Sequence, residues 1–229
     1  LWDWYNLGRR GGSLEKGMAS LESLQEEIEA GGLVNLYWIG RVNDATVRHD
    51  RDVLSFLDES EDIWLTTWGE AWSYWSAHRC YELSHSKDET EQGTVLSFES
   101  LLTETCSSGD IAGWNIPLTW ELSVGGADVS NVTINGTDAQ SIEGEVNAMQ
   151  GWRQESDGSV FISVKNGEPT EIHFNNSQIE YDVLGLTEFW NNHSSAVTVA
   201  GHATSDLFKW SKRFLGEDNV RFTWLLTPR

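Results

Sequence analysis

Residues Ile63–Cys80 constrain this chain more than any other stretch: Ile-Trp-Leu-Thr-Thr-Trp-Gly-Glu-Ala-Trp-Ser-Tyr-Trp-Ser-Ala-His-Arg-Cys. Ile63, Trp64 and Leu65 are apolar and β-favouring, so they predict a short buried strand. Thr67 and Glu70 then stand three apart, the spacing of a capping box. The Thr hydroxyl accepts from the amide of residue 70, and the Glu carboxylate reaches back to the amide of Thr67. Trp68, Ala71, Trp72 and Trp75 follow at helical steps and give one face a heavily aromatic character. Such a face ordinarily packs in a core. A sugar-stacking platform built from one of the rings is the other use.

The flanking segments extend the pattern upstream. Ser13 reads as a helix cap, with Leu14, Met18, Leu21, Leu24 and Ile28 following at three- and four-residue steps. Gly31-Gly32 supplies the stop. Leu33–Val42 reads as an apolar strand. Asp50 caps a second helix over Arg51–Ser60, with Val53, Leu54, Phe56 and Leu57 facing inward. Helix, strand, helix, strand, helix is the signature of an α/β unit with parallel strands. The unit is too short to close a barrel, so the chain reads as a fragment of a longer polypeptide.

Helical periodicity fades near Ser84. Ser84–Gln92 reads as a charged, Ser-rich connection. Val95–Thr105, Asn115–Val124, Asp128–Ile134, Val160–Val164 and Glu171–Phe174 read as strands separated by Gly, Asn and Asp turns. Asn135-Gly136 and Asn166-Gly167 are hairpin-type turns. Short strands at this spacing predict an antiparallel β-sandwich. Glu180–Trp190 is a short helix or an irregular loop. Ala196–Ala200 and Val220–Thr227 are strands, and Asp206–Phe214 is a helix or an aromatic-rich strand.

Charge narrows the partners. The chain has 36 acidic and 15 basic residues, a net charge of −21. Nucleic-acid binding needs Lys and Arg to displace phosphate counterions, so it is not expected, and anionic membranes are disfavoured. The scarcity of lysine suits a saline environment. No apolar run approaches the roughly 20 residues that span a bilayer. The first residues lack a basic start followed by an apolar run, so no signal peptide is read there. Cys80 and Cys106 either form one disulfide or stay as two buried thiols. Sequons fall at Asn131, Asn135, Asn175 and Asn192, all in polar surroundings.

Val53–Trp75 resembles the last helix, strand and helix of the polysaccharide deacetylase family (carbohydrate esterase family 4). That family carries a strand of the type Val-Trp-Val-Thr-Thr followed by a Gly-Glu-Val helix; here the residues are Ile63–Thr67 and Gly69-Glu70-Ala71. Glu15–Val42 is similar to the preceding helix, Gly turn and strand, and Trp114–Thr119 to the sandwich that follows the barrel in some members. The resemblance implies a fold class of α/β type: the C-terminal half of a deacetylase barrel over residues 1–84, an antiparallel β-sandwich over 85–175 and a further β-rich segment over 176–229.

It also implies metal-assisted removal of acetyl groups from a polysaccharide in an intact member, with zinc or another divalent ion polarising the carbonyl and activating water. The family's metal residues are an Asp-Asp pair and His-x-x-x-His. Neither is present here: the histidines stand at 49, 78, 85, 173, 193 and 202. A general-acid His belongs at the end of the Leu33–Val42 strand, where this chain has Gly40 or Arg41. Asp3-Trp4 matches the Asp-Trp that closes another family motif. No catalytic residue, metal ligand or cofactor is therefore assigned within this chain, and on its own it is expected to be catalytically silent.

The remaining constellations have ordinary explanations. His49, Asp50 and Asp52 sit at a helix start, where Asp caps and meets the dipole. Glu59, Glu61 and Asp62 make a solvated acidic turn. Gly201–Asp206 brings Ser, His and Asp together only in sequence, whereas a catalytic triad is assembled in space. Trp114, Trp120, Trp152 and Trp210 could stack on sugar rings if they stand exposed on strands, with Trp114, Trp120 and Trp152 the candidates; burial in the core is the more ordinary use of each ring. The expected protein is the C-terminal part of an extracellular or cell-surface deacetylase-like protein acting on a polysaccharide. The alternative is a non-catalytic surface or carbohydrate-binding protein that uses a degenerate barrel and sandwich as scaffold.

Overall fold

A computed structural model describes residues 11–13, 21–38, 52–53, 55–91, 93–103 and 116–201. The strands are β1 (Gly11–Ser13), β2 (Gly32–Trp38), β3 (Ile63–Thr66), β4 (Tyr81–Thr90), β5 (Gly93–Leu102), β6 (Leu118–Ser123) and β7 (Val129–Ile134). There follow β8 (Thr137–Asp138), β9 (Gly151–Gln154), β10 (Ser159–Val164), β11 (Thr170–Phe174), β12 (Asp182–Leu186) and β13 (Ser195–Gly201). Two helices join them, α1 (Leu21–Glu29) and α2 (Trp68–Cys80), with further helical residues at 52–53 and 55–59. The described residues are thus mostly β, in three sheets. The chain divides into two compact units, Leu1–Ala71 with His193–Arg229, and Trp72–Asn192.

The first unit holds a parallel sheet in the order β1-β2-β13-β3. Its strands are largely buried, which is why they read as apolar runs: Val34 and Leu36 of β2, Ala196 and Val197 of β13, and Ile63 and Trp64 of the edge strand β3 are all in the core. Leu24 and Ile28, four apart on α1, are buried as well. Gly31, at φ 70°, takes the left-handed position that ends this helix, and its amide returns to the carbonyl of Ile28. Ser13, read as a helix cap, lies instead in β1, paired with Tyr37.

The half-barrel expectation is not shown. In a barrel built from successive strand-helix units β2 and β3 would be neighbours. Here β13 lies between them, drawn from the segment that the sequence sets apart as a β-rich C-terminal piece. Among the described residues the sheet stays open.

The second unit is a β-sandwich. One sheet runs β12-β6-β10-β9 and the other β4-β5-β11-β7-β8, all antiparallel. Leu122, Val160 and Ile162 from the first meet Leu96, Phe98, Val132, Ile172 and Phe174 from the second in one core. Alternation along each strand sends every second side chain there. Asn135 and Gly136, at φ 52° and 72°, form the primed turn that closes the β7–β8 hairpin. Asn166-Gly167 also turns, but it leads from β10 in one sheet to β11 in the other, so it makes no hairpin.

Ser84–Gln92 is not a connection. Most of it belongs to β4, an edge strand paired with β5 over Tyr81–Leu102 to Thr90–Gly93. Edge strands tolerate charge because one side meets water, and this one carries Lys87, Asp88 and Glu89. Gly93 is obligatory where β5 begins: a Cβ there would run into the carbonyl oxygen of Phe174. The Glu180–Trp190 segment contains β12, followed by a single 3-10 turn at Trp190–Asn192.

Helix α2 begins as its residues require. The Glu70 amide donates to Thr67 Oγ1 at 3.2 Å and the Thr67 amide to Glu70 Oε2 at 2.9 Å, the complete capping box. We expect Thr67→Ala to lower unfolding free energy by about 1 kcal/mol, read as a shift of the denaturant midpoint at unchanged slope. The aromatic face is differently used than its spacing predicts. Trp68, Trp72 and Trp75 are only half-buried, whereas Ala71, Tyr74 and Ala77 are buried. Tyr74, with a small residue three positions to either side, is the inward anchor.

Candidate functional site

The five-stranded sheet has one face in the sandwich core and one facing outward. The outward residues fall into two cross-strand rows. Register places Ser86, Ser97, Glu171, Thr133 and Asp138 side by side across all five strands. The next row contains Asp88, Val95, His173 and Asn131. Four spacings of about 4.8 Å make the first row about 19 Å long. Ser86, Asp88, Asp138 and Glu171 are exposed; Ser97, Thr133, Asn131 and His173 are half-buried.

The face is a mainly polar strip of carboxylates, hydroxyls, an amide and an imidazole, interrupted by Val95 and by the exposed Leu101 opposite Glu82. Two internal contacts order it: Asn131 Nδ2 donates to Asp138 Oδ1 at 3.0 Å, and His173 Nε2 lies 3.4 Å from Glu171 Oε2. Glu82, Ser84 and Glu99 continue the acidic character toward the start of β4. Such a strip can offer many hydrogen-bond acceptors and a few donors to a ligand rich in hydroxyls, with no group moved out of place. Nothing in the sequence marks it, because each residue is an ordinary outward position on a strand. Only register joins them into rows.

The outer side of the four-stranded sheet is covered instead. Thr119 and Ser163 are buried there and share a 2.7 Å hydrogen bond. The Asn191 amide donates to Thr119 Oγ1 at 2.7 Å, and the Thr119 amide donates to the Tyr74 hydroxyl at 3.3 Å. Thr187 Oγ1 and the Tyr74 hydroxyl share a 2.7 Å hydrogen bond, and both reach the Phe189 carbonyl, at 2.7 Å and 3.2 Å. Burial pushes the Tyr74 phenol up to about 12, so the group is a neutral donor at any ordinary pH. His78 packs edge-on to Tyr74, with ring centroids 6.2 Å apart. Desolvation lowers its pKa against the opposing pull of the Thr187 backbone and Glu188. These groups hold the cover in place rather than form an acid-base pair aimed at a cleft.

The predicted site residues are distributed as follows. Trp120 is 7 % exposed and sits in a small core cluster with Ile134 and Val164. Strand β6 turns residues 118, 120 and 122 alike toward the sandwich interior, so Trp120 takes the core position, the ordinary use of such a ring. Trp152, in register with Ile162 on the same side, is half-buried against the main core. Trp114, Asp3, Trp4, Gly40 and Arg41 lie outside the described residues. The more open aromatic pair is one that the tryptophan pattern overlooks. His85 Nδ1 is 2.8 Å from the Tyr181 hydroxyl, and the rings meet edge to face. That pair sits on the inward side of β4, apart from the rows.

Cys80 carries a disulfide, and the chain's one other cysteine, Cys106, lies outside the described residues. The Thr103 amide donates to the Cys80 carbonyl at 2.6 Å, so the β4–β5 hairpin sets residue 103 beside Cys80. Three further residues can span about 10 Å. In the first unit, a shallow pocket of 330 Å³ is lined by Gln25, Ile28, Phe56, Asp62, Ile63 and Ser194 among others. It lies where β3 and β13 begin, whereas ligands of open parallel sheets gather where the strands end. Among the described residues no group of three His, Cys, Asp or Glu is placed to hold a metal, and no helix is long and apolar enough to cross a membrane.

No protein-family model matches the chain, and no curated protein matches it. Among solved structures, the chitin-binding domain of the hyperthermophilic chitinase from Pyrococcus furiosus aligns at 13% identity, over 47% of this chain and 90% of that domain, with a TM-score of 0.26.

Proposed function

We propose that this chain is a carbohydrate-binding protein of the cell surface or extracellular space, and that its ligand, a polysaccharide, lies along the outward face of the five-stranded sheet. The observation that carries the reading is the row Ser86–Ser97–Glu171–Thr133–Asp138, five hydrogen-bonding side chains in register across the sheet. Hydrogen bonds to charged groups contribute about 1.5–3 kcal/mol each, so a few simultaneous contacts along the strip suffice for selective binding. No cofactor is required. The test is depletion of the protein from solution by insoluble chitin, cellulose and xylan, compared with an inert resin. Retention by at least one polysaccharide is expected; recovery in the supernatant with all three would sink the reading.

A Cys80–Cys106 bridge belongs to the same proposal. Closing that loop stabilises by about 3 kcal/mol in the chain-entropy model. We expect no titratable thiol in denaturant without reductant, and a lower unfolding midpoint after reduction; two thiols would exclude the bridge.

One observation favours a second reading, that of a polysaccharide-deacetylase-like protein. Strand β3, the Thr67–Glu70 cap and helix α2 follow one another as the resemblance at Val53–Trp75 requires. Acetate release from acetylated chitin or xylan fragments with added zinc distinguishes it: release above background supports this second reading, and binding without release supports the first.

A further inference from the structure

We infer that Asn135 is an acceptor for an N-linked glycan and that Asn131, four residues earlier, is not. Both head a sequon, Asn131-Val132-Thr133 and Asn135-Gly136-Thr137, and sequence alone ranks them equally. The fold separates them. Asn135, Gly136 and Thr137 form the exposed tip of the β7–β8 hairpin. Asn135 holds the left-handed conformation that Asn tolerates, at φ 52°. Its backbone amide is satisfied by the Pro169 carbonyl at 2.7 Å, while no side-chain bond of Asn135 occurs among the described residues. No atom lies within 4 Å of where a Cβ on Gly136 would be, so the approach to the acceptor amide is open.

The Asn131 sequon is closed by contrast. Asn131 pairs with His173 and Thr133 with both Glu171 and Asp138, so the sequon lies along a paired strand and not at a turn. Its amide nitrogen is already committed to Asp138 Oδ1 at 3.0 Å. At the Asn192 sequon, Ser194 is engaged: its amide donates to Asp62 Oδ1 at 3.1 Å and its hydroxyl to the Asp62 carbonyl at 3.2 Å. The hydroxyl two residues after the asparagine is what an N-glycosyl transferase must read. The Asn175 sequon is exposed at all three positions and needs separate control.

The chemistry requires a sugar donor carried on a lipid phosphate or pyrophosphate. The Asn135 amide nitrogen bonds to the anomeric carbon. The bond from that carbon to the phosphate oxygen breaks, the lipid phosphate departs with the electron pair, and a base of the transferase takes the amide proton. The glycan would stand off the hairpin tip into solvent, with no core side chain displaced.

The experiment is secretion of the whole chain from an N-glycosylating host in an Asn175→Gln background, followed by intact-mass and glycopeptide mass spectrometry. One glycan, on the peptide holding Asn135, is expected. Thr137→Ala, which removes the sequon but leaves the Asn135 backbone untouched, should abolish it; Thr137→Ser should restore it; Asn131→Gln should leave it in place. A secreted, folded protein with Asn135 unmodified, or with the glycan on Asn131, would overturn the inference.

Discussion

Replacing Tyr74 with alanine lowers the unfolding free energy by about 3–5 kcal/mol, the range for removing a large buried ring. The ring is fully buried, and its hydroxyl links helix α2 to β6 and to the turn after β12. Tyr74→Phe separates the two contributions. It keeps the ring but leaves the Thr119 amide and Thr187 hydroxyl short of a partner, at a cost of about 1–3 kcal/mol. Chemical denaturation of the three proteins measures both steps. An alanine variant as stable as the parent would show that this helix face is not core.

The second large effect is expected at Asn191. Its side-chain amide donates to the Ile142 carbonyl at 2.8 Å, and its Oδ1 accepts from Arg153 Nε at 2.6 Å. Arg153 Nη2 also reaches the Asn191 carbonyl at 3.0 Å, while its guanidinium stacks 4.2 Å from the centroid of Phe161 and pairs with Glu155. The backbone is left-handed at φ 56°, which costs a non-Asn, non-Gly residue about 1–2 kcal/mol. Asn191→Ala therefore loses a charge-assisted bond, a buried amide bond and conformational tolerance together, for about 3–5 kcal/mol in all. Asn191→Gly relieves the backbone alone and should recover about 1 kcal/mol of that loss. Equal stability of the Ala and Gly variants would remove the backbone part of this explanation.

Local structure was legible where one residue answers another nearby. Thr67 and Glu70 announced their cap, Asn135-Gly136 its hairpin, and the β-favouring run Val160–Val164 its strand. Pairing between distant strands was not legible. Ala196–Ala200 reads as a strand, but no feature of it says that it enters a parallel sheet between β2 and β3. Ser84–Gln92 reads as a connection because its charges resemble a loop; an edge strand carries the same charges for a different reason. For the tryptophans the residues alone left two uses open. Large aromatic rings suggest both core and sugar platforms, and β6 sends Trp120 inward because residues two apart share a face. The candidate ligand face was invisible because it consists of ordinary outward strand residues whose meaning lies in register.

The measurement that bears most directly on the account is polysaccharide binding by the Glu171→Ala/Thr133→Ala protein, with Leu184→Ala as control. Glu171 and Thr133 are paired on the outward face, and neither belongs to the core. Leu184 is 55 % exposed on β12, in the other sheet of the sandwich. Using whichever of chitin, cellulose or xylan retains the parent, the double variant should bind about tenfold more weakly or worse, since each 1.4 kcal/mol lost is a factor of ten. Leu184→Ala should bind as the parent does. Unchanged binding in the double variant, with loss in Leu184→Ala, would place the ligand on the other sheet and contradict the account.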